Sequence, residues 1–354
     1  MSALNTVRLV VNSEEYAGWK EVSITAGIER QARDFSLSVT DRWPGQQAIP
    51  RRVRPGDVCE IYIGADKVLT GYVDATPINY EAKRISVGVR GRSKTADLID
   101  CSAINEPGQW RGQKLERIAQ DLAAPYGITV TSETDTGAPI LDHQIEQGET
   151  VFESIDRLLR QRYLLATDDE EGALVFIDVG RQRATTALVL GENLLTGSSD
   201  LDHKDRYSRY VAKGQRPPLE GDDPEDTSQE SASIDDAGVT RPRVLVVKQT
   251  GQADEGTCRD RVAYERAHRA AKSLAATYTV QGWRQGDGDL WRPNLLVRVR
   301  DALIGFDSEL LISEVEYRLN DNGMVCELKV GPRDGFLAKP KKKNTELESW
   351  GDVK

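Results

Sequence analysis

Trp291–Arg300, WRPNLLVRVR, sets Arg-Pro and a turn residue ahead of an alternating strand, and the chain uses the same device earlier, at Arg54–Ile63, RPGDVCEIYI. Proline presets the dihedral that a reversal needs, and period-two alternation marks a half-buried strand, so each segment reads as a turn feeding a sheet. The likeness extends outward. Pro55 corresponds to Pro293, and further on, with only a few residues' difference in the hairpin between, Ile85, Val87 and Val89 match Cys326, Leu328 and Val330 in phase. Gly91-Arg92 then falls opposite Pro332-Arg333, and Thr76, Ile78 and Asn79 opposite Tyr317, Leu319 and Asn320. Shared phase over a whole hairpin means that matching positions face the core in both copies. The reading is a duplicated β module.

Around this repeat the expected fold is mostly β with an α+β part: two similar antiparallel β-barrel domains, an intervening α+β domain and a helical insertion in the second barrel. Residues 1–97 form the first barrel, from short strands such as Val7–Val11, Val22–Thr25, Phe35–Val39, Val58–Ile63, Val68–Val73 and Ile85–Val89, separated by turns at Asp41–Gly45, Arg54–Asp57 and Gly64–Asp66. Closure, full or nearly so, would remove exposed strand edges. Residues 98–185 switch to helical spacing. Leu115, Ile118, Ala119 and Leu122 share a helix face that ends at Pro125-Tyr-Gly127. Thr150 and Glu153 form a capping box ahead of an apolar stripe from Val151 to Leu159, and a hairpin follows around Asp168–Gly172. The second barrel is split, over 186–216 and 278–337. Between its parts, 217–277 carries an acidic loop from Pro217 to Asp236, a strand at Val244–Val247 and a charged helix from about Thr257 to Ala276. Residues 338–354, with the lysines of Lys339–Lys343, form a disordered tail.

Composition narrows the function. The chain has 354 residues with 38% hydrophobic and 29% charged side chains, which suits a soluble protein of several domains, and its N-terminus has no secretory leader pattern. No apolar run reaches the about 18 residues of a membrane helix, so no membrane insertion is expected. Cys59, Cys101, Cys258 and Cys326 are dispersed without zinc spacing and read as reduced thiols. A formal net charge of −10 and 6% aromatics argue against a protein that grips nucleic acid.

Longer blocks carry a family resemblance. GRSKTADLIDCSA from Gly91, GQWRGQKLERIAQDLAAPYGITV from Gly108, LVLGENLLTGSSDLDHKDRYSRYVAKG from Leu188, DGDLWRPNLLV from Asp287 and VGPRDGFL from Val330 resemble the baseplate hubs of contractile tails of the phage Mu type. That family includes the phage T4 hub and is related to the base of type VI secretion spikes. The likeness runs from about Thr6 to Leu337. It implies a structural protein of the virion's tail baseplate, assembled in the host cytoplasm. It further implies a homotrimer whose paired barrels make a pseudo-six-fold ring, joining the tail tube protein to the trimeric spike protein among other baseplate proteins. DNA would pass through that ring without sequence-specific binding. The acidic loop and the tail depart from the family blocks, and no contacts carry over to them. Two alternatives stand beside this reading: a hub with cell-wall hydrolase activity, and a spike-base component of a type VI-like system.

Catalytic signals are weak. His143, His203 and His268 are widely separated, and the pairs Asp142-His143 and Asp202-His203 read as a His beside an Asp rather than as a triad or metal site. GRSKTAD superficially resembles a phosphate loop, but lacks its first glycine and its Gly-Lys-Ser/Thr order. No GxSxG elbow surrounds any serine. The expectation is no enzyme activity, no catalytic, cofactor-binding or metal residues, and no cofactor.

Overall fold

A computed structural model describes residues 3–42, 53–81, 84–199, 202–215, 229–249 and 255–336. They group into two units, one within 1–201 and 274–333 and the other within 202–273 and 334–354.

In the first unit, alternation dictates the early strands: Val7, Leu9 and Val11, then Cys59, Ile61 and Ile63, turn inward while their neighbours stay outside. These strands are β1 (Val7–Val11), β2 (Glu14–Tyr16), β3 (Glu21–Gly27), β4 (Asp34–Arg42), β5 (Val58–Ile63), β6 (Asp66–Ala75), β7 (Ile78–Glu81) and β8 (Arg84–Ser93). They pair antiparallel in the order β2-β1-β5-β6-β8-β4-β3, with β7 continuing the line of β6 along β8. The strands are drawn tightly together where β6 meets β8, since a Cβ on Gly71 would lie 1.9 Å from the Arg92 carbonyl oxygen.

The α+β part follows: α1 (Ala96–Asp100), β9 (Gln109–Gln113), α2 (Leu115–Ala123), β10 (Val130–Ser132), β11 (Ile140–Gln144), α3 (Val151–Arg162), β12 (Ala166–Asp168) and β13 (Leu174–Phe176). Leu115, Ile118, Ala119 and Leu122 of α2 pack with Val151, Ile155, Leu158 and Leu159 of α3 in a core of their own. The capping box forms as its spacing predicts: Thr150 Oγ1 accepts from Glu153 N at 3.2 Å and Glu153 Oε2 accepts from Thr150 N at 2.7 Å. Thr150→Ala is expected to cost about 1 kcal/mol in thermal or denaturant unfolding, through the loss of that cap.

A buried ion pair fastens this part to the first strands. Arg33 donates from its backbone N to Asp168 Oδ2 at 3.0 Å, from Nε to Asp168 Oδ1 at 3.3 Å, from Nη1 to the Val68 carbonyl at 2.8 Å and from Nη2 to the Asp168 carbonyl at 3.1 Å. Beside it, Thr70 Oγ1 donates to the Glu170 carbonyl at 2.8 Å.

The late strands are β14 (Gln182–Arg183), β15 (Leu188–Val189), β16 (Leu194–Ser199), then β20 (Ala276–Gln281), β21 (Leu295–Asp301), β22 (Phe306–Asn320) and β23 (Gly323–Gly331). They run β16-β20-β23-β22, with β21 also on β22 and with β14 and β15 parallel to β21. The protein is mostly β, as expected. Among the described residues, however, the strand pairing closes neither half into a barrel; one continuous ladder passes from the late strands to the early ones where β22 pairs with β3.

The second unit holds β17 (Arg209–Gln215), β18 (Gln229–Asp235), β19 (Val244–Lys248) and α4 (Glu255–Lys272). Here the expectations shift. The strand assigned to the split barrel over 207–213 belongs instead to this separate three-stranded sheet, where Tyr210 and Ala212 pack on Cys258 and Val262 of α4. Residues 229–235, expected within the acidic loop, form a strand because β17 supplies a partner along their whole length. Of the remaining loop, 217–228 lies outside the described residues, as does the tail 338–354.

Candidate assembly surface

The groups singled out for chemistry are dispersed and occupied structurally. His143 is buried, with Nε2 2.9 Å from Ser154 Oγ and its ring beside Trp110; burial first, then the charge of Arg157, pushes its pKa down. His203 is exposed. His268 stacks on Tyr264 and places Nδ1 2.5 Å from the Gly335 carbonyl. GRSKTAD is the end of β8 and a turn into α1, with Arg92 bridging Asp74 and Asp100 at 2.8 and 2.7 Å. Cys59 and Cys326 sit in the sheet core, and burial pushes the Cys59 thiol up to about 12. No helix of the described residues is long and apolar enough to cross a membrane.

What the structure does bring together is the repeat. In the first half a bulge in β6 falls between Val73, opposite Gly91, and Ala75, opposite Arg90; in the second a bulge in β22 falls between Ile312, opposite Val330, and Glu314, opposite Lys329. The hairpin ends agree with this, since Glu81 faces Arg84 as Asn320 faces Gly323. Bulge and hairpin therefore match β8 to β23 as Val87 to Cys326 and Val89 to Leu328, and match β6 with β7 to β22 as Ile78 to Tyr317 and Tyr80 to Leu319. These pairings correct the alignment read from sequence, which is displaced by two residues after Pro55. A two-residue slip keeps every side chain on its own face, so hydrophobic phase alone does not detect it.

The outer strands correspond as well. Leu37 of β4 faces Val89 as Tyr278 of β20 faces Leu328, and Val22 of β3 faces Leu37 as Gly197 of β16 faces Tyr278. Thus β3 and β16 occupy equivalent places, one in each half.

The strand ladders of the two halves join at one seam. There β3 runs antiparallel to β22, Ile24 opposite Tyr317, Ser23 opposite Arg318 and Val22 opposite Leu319. Core side chains lie on one face. On the other, Glu316 accepts from Ser23 Oγ at 2.8 Å and from Arg318 at 2.6 Å, Arg318 also reaches Glu327 at 2.8 Å, and Glu314 meets Arg30 and Lys329 at 2.6 and 2.5 Å. Burial pushes Glu314 upward, but Lys329 and Arg30 outweigh it and hold its carboxyl below the usual range. The result is a polar face of paired charges that spans the seam and is neither strongly basic nor apolar.

The equivalents of these two seam strands lie at edges. Among the described residues β7 pairs only with β8, and β16 only with β20. Ile78 and Tyr80 of β7 are 37% and 72% exposed, and Leu195 of β16 is 52% exposed.

Comparison with known proteins agrees with this geometry. Residues 6–93 match the model of the Mu phage baseplate assembly protein GpP-like N-terminal domain, 95–178 that of the baseplate hub protein gp44-like second domain, and 255–339 that of the GpP fourth domain. The chain is 37% identical to the baseplate hub protein gp44 of Escherichia phage Mu, over 98% of this chain and 93% of that protein. Among solved structures it resembles a 43 kDa tail protein of prophage MuSo2 from Shewanella oneidensis, with a TM-score of 0.86 and 32% identity over 95% of this chain and all of that one. A tail protein from Neisseria meningitidis MC58 shares the fold, with a TM-score of 0.81 and 21% identity over 94% of this chain and 98% of that one.

Proposed function

The chain belongs to the Mu-type baseplate hub family and is a structural baseplate component of a phage or prophage tail, and from that premise we propose that it works as a homotrimeric ring. Three copies, each with two equivalent β halves, present six similar positions, which adapts a six-fold tail tube to a three-fold spike. The observation that carries this reading is the repeat itself: the same strand order, the same bulge and the same hairpin end recur in both halves of one polypeptide. In this proposal each half serves as a barrel-like module, the part over 98–185 braces the first, and 202–273 is an appendage inserted into the second.

The polar seam face lines the central passage. Its mixture of paired carboxylates and cations has no excess of positive charge to hold phosphates, so DNA moves through without adhering. The tube protein, the trimeric spike and other baseplate proteins are the proposed partners, met first in the host cytoplasm and retained in the virion. No catalysis is assigned; the Mu and MuSo2 relatives are named as a hub and a tail protein. An Escherichia coli component of the type VI secretion system, itself structurally similar to the phage T4 tail proteins gp27 and gp5, shares the fold at a TM-score of 0.55 and 12% identity over 92% of this chain and 76% of that one.

Light scattering tests the assembly. A mass near three times 39.3 kDa is expected, with six similar densities around the axis in electron micrographs. A particle whose stoichiometry excludes multiples of three sinks the proposal.

A further inference from the structure

The two halves carry different charge on the same piece of sheet. In the late half, Lys329 Nζ lies 2.5 Å from Glu314, and Arg318 lies 2.6 Å from Glu316 and 2.8 Å from Glu327. Each cation there is neutralised within the chain. The register sets Arg90 of the early half at the place of Lys329, because Arg90 faces Ala75 across its bulge as Lys329 faces Glu314. It likewise sets Ala75 where the late half has Glu314, Pro77 where it has Glu316, Gly88 where it has Glu327 and Asn79 where it has Arg318. The cation at the bulge is kept and the carboxylates around it are replaced. Arg90 is exposed and makes no ion pair among the described residues.

Without those longer side chains the early face forms a groove of about 250 Å³, bounded by Pro77 and Gly88 and lined by Ser23, Ser36, Ser38, Ser86, Asn79 and Arg90. Ser36 stands directly opposite Arg90 on the neighbouring strand, and Ser38 opposite Gly88, one strand spacing of about 4.7–4.9 Å away. Two of the hydroxyls are committed: Ser23 donates to Glu316 at 2.8 Å and Ser38 to Glu21 at 2.7 Å. Those of Ser36 and Ser86 have no partner among the described residues. Glu21 also borders the groove, but it stands on β3, two strands from Arg90.

We infer that this groove binds one phosphate group, with Arg90 as the cation and Ser36 and Ser86 as hydroxyl donors. A guanidinium beside neutral hydroxyls is a donor set that proteins use on phosphate oxygens, and the volume lies below the about 300–1,000 Å³ of pockets for larger ligands. Free phosphate and the backbone of DNA offer the same chemistry. The groove belongs to a single chain and needs no ring; that DNA reaches it rests on the passage reading above, since Ser23 makes the groove continuous with the seam face. One such cation per chain is far short of the about six to ten phosphate contacts that make binding strongly salt-dependent, so a passing strand is touched without being retained.

The test titrates the full chain with inorganic phosphate by calorimetry, and with a short single-stranded DNA by fluorescence anisotropy. Saturable phosphate binding is expected, and Arg90→Gln should weaken it about tenfold, as loss of a charged donor does. Ala75→Glu rebuilds the late half's pair on Arg90; it should weaken binding as much without lowering the unfolding midpoint. Lys329→Gln, the same charge change at the paired counterpart, should have little effect. If Arg90→Gln lowers DNA and phosphate binding in parallel, the DNA backbone supplies the group. If phosphate binding alone falls, the groove takes free phosphate and the inference still holds. Phosphate binding that is absent, or indifferent to both Arg90→Gln and Ala75→Glu, overturns the inference and leaves the ring reading standing.

Discussion

Asp168→Ala is expected to lower stability by about 3–5 kcal/mol in denaturant unfolding, the largest loss anticipated from any single carboxylate in the chain. The side chains of Arg33 and Asp168 are only 11% and 1% exposed, and the guanidinium is engaged by both the carboxylate and the carbonyls of Val68 and Asp168. Removing the carboxylate leaves a buried cation whose remaining carboxylate partner is Glu170, 3.4 Å from its Nη1. The cost combines the lost attraction with incomplete pairing of a buried charge, and replacing both partners by apolar residues, Arg33→Met with Asp168→Leu, should recover part of it. Arg33→Lys should fail to rescue, because an ammonium cannot reproduce the guanidinium's several directed donors. A loss below about 1 kcal/mol, the range of an exposed pair, would show that the attachment of the α+β part depends on other contacts.

Trp283→Ala is expected to cost a further about 3–5 kcal/mol of the same order, now in the late half of the sheet. Trp283 is fully buried and meets Tyr317 edge to face, with ring centroids 6.2 Å apart. Its Nε1 lies 3.1 Å from the Arg318 carbonyl and 3.0 Å from that of Val325, and its own carbonyl accepts from Trp291 N at 3.0 Å. Tyr317 in turn donates to the Trp291 carbonyl. Trp283→Phe separates the two contributions, keeping much of the apolar volume while leaving two backbone carbonyls without that donor. It should cost about 1–3 kcal/mol. If Phe and Ala cost the same, volume is not what the indole contributes.

The sequence showed the facing of strands well and their register poorly. Alternation identified Val7–Val11, Val58–Ile63 and the late strands because burial on one face imposes period two. The bulges that set the register leave no comparable mark: Asp74 and Ser313 are ordinary residues whose extra place appears only when the partner strand is known. The capping box at Thr150 was legible because it is a local device in which residues three apart satisfy each other. β18 was not, since Ser231, Ala232 and Ser233 have little strand preference and are held by pairing with β17. Arg33 and Asp168 meet across more than a hundred residues, and nothing near either one announces the other.

The candidate surface followed the same division. Sequence indicated duplication, and hence two of everything, but which strands join the two halves needed the strand order. His143, the most suggestive titratable group, is a packing residue held by Ser154.

β22 extends unbroken over fifteen residues, roughly 45–50 Å at the usual rise, and along one edge it is hydrogen-bonded first to β21 and then to β3. It acts as a tie rod. Tension entering the late module travels along covalent backbone to the seam, with no flexible loop in series, and passes to β3 by loading their ladder in shear, so many bonds resist together instead of peeling one by one. Its counterpart is interrupted at Thr76-Pro77, where β6 gives way to β7, and stiffness within a single chain is therefore unequal from one module to the next.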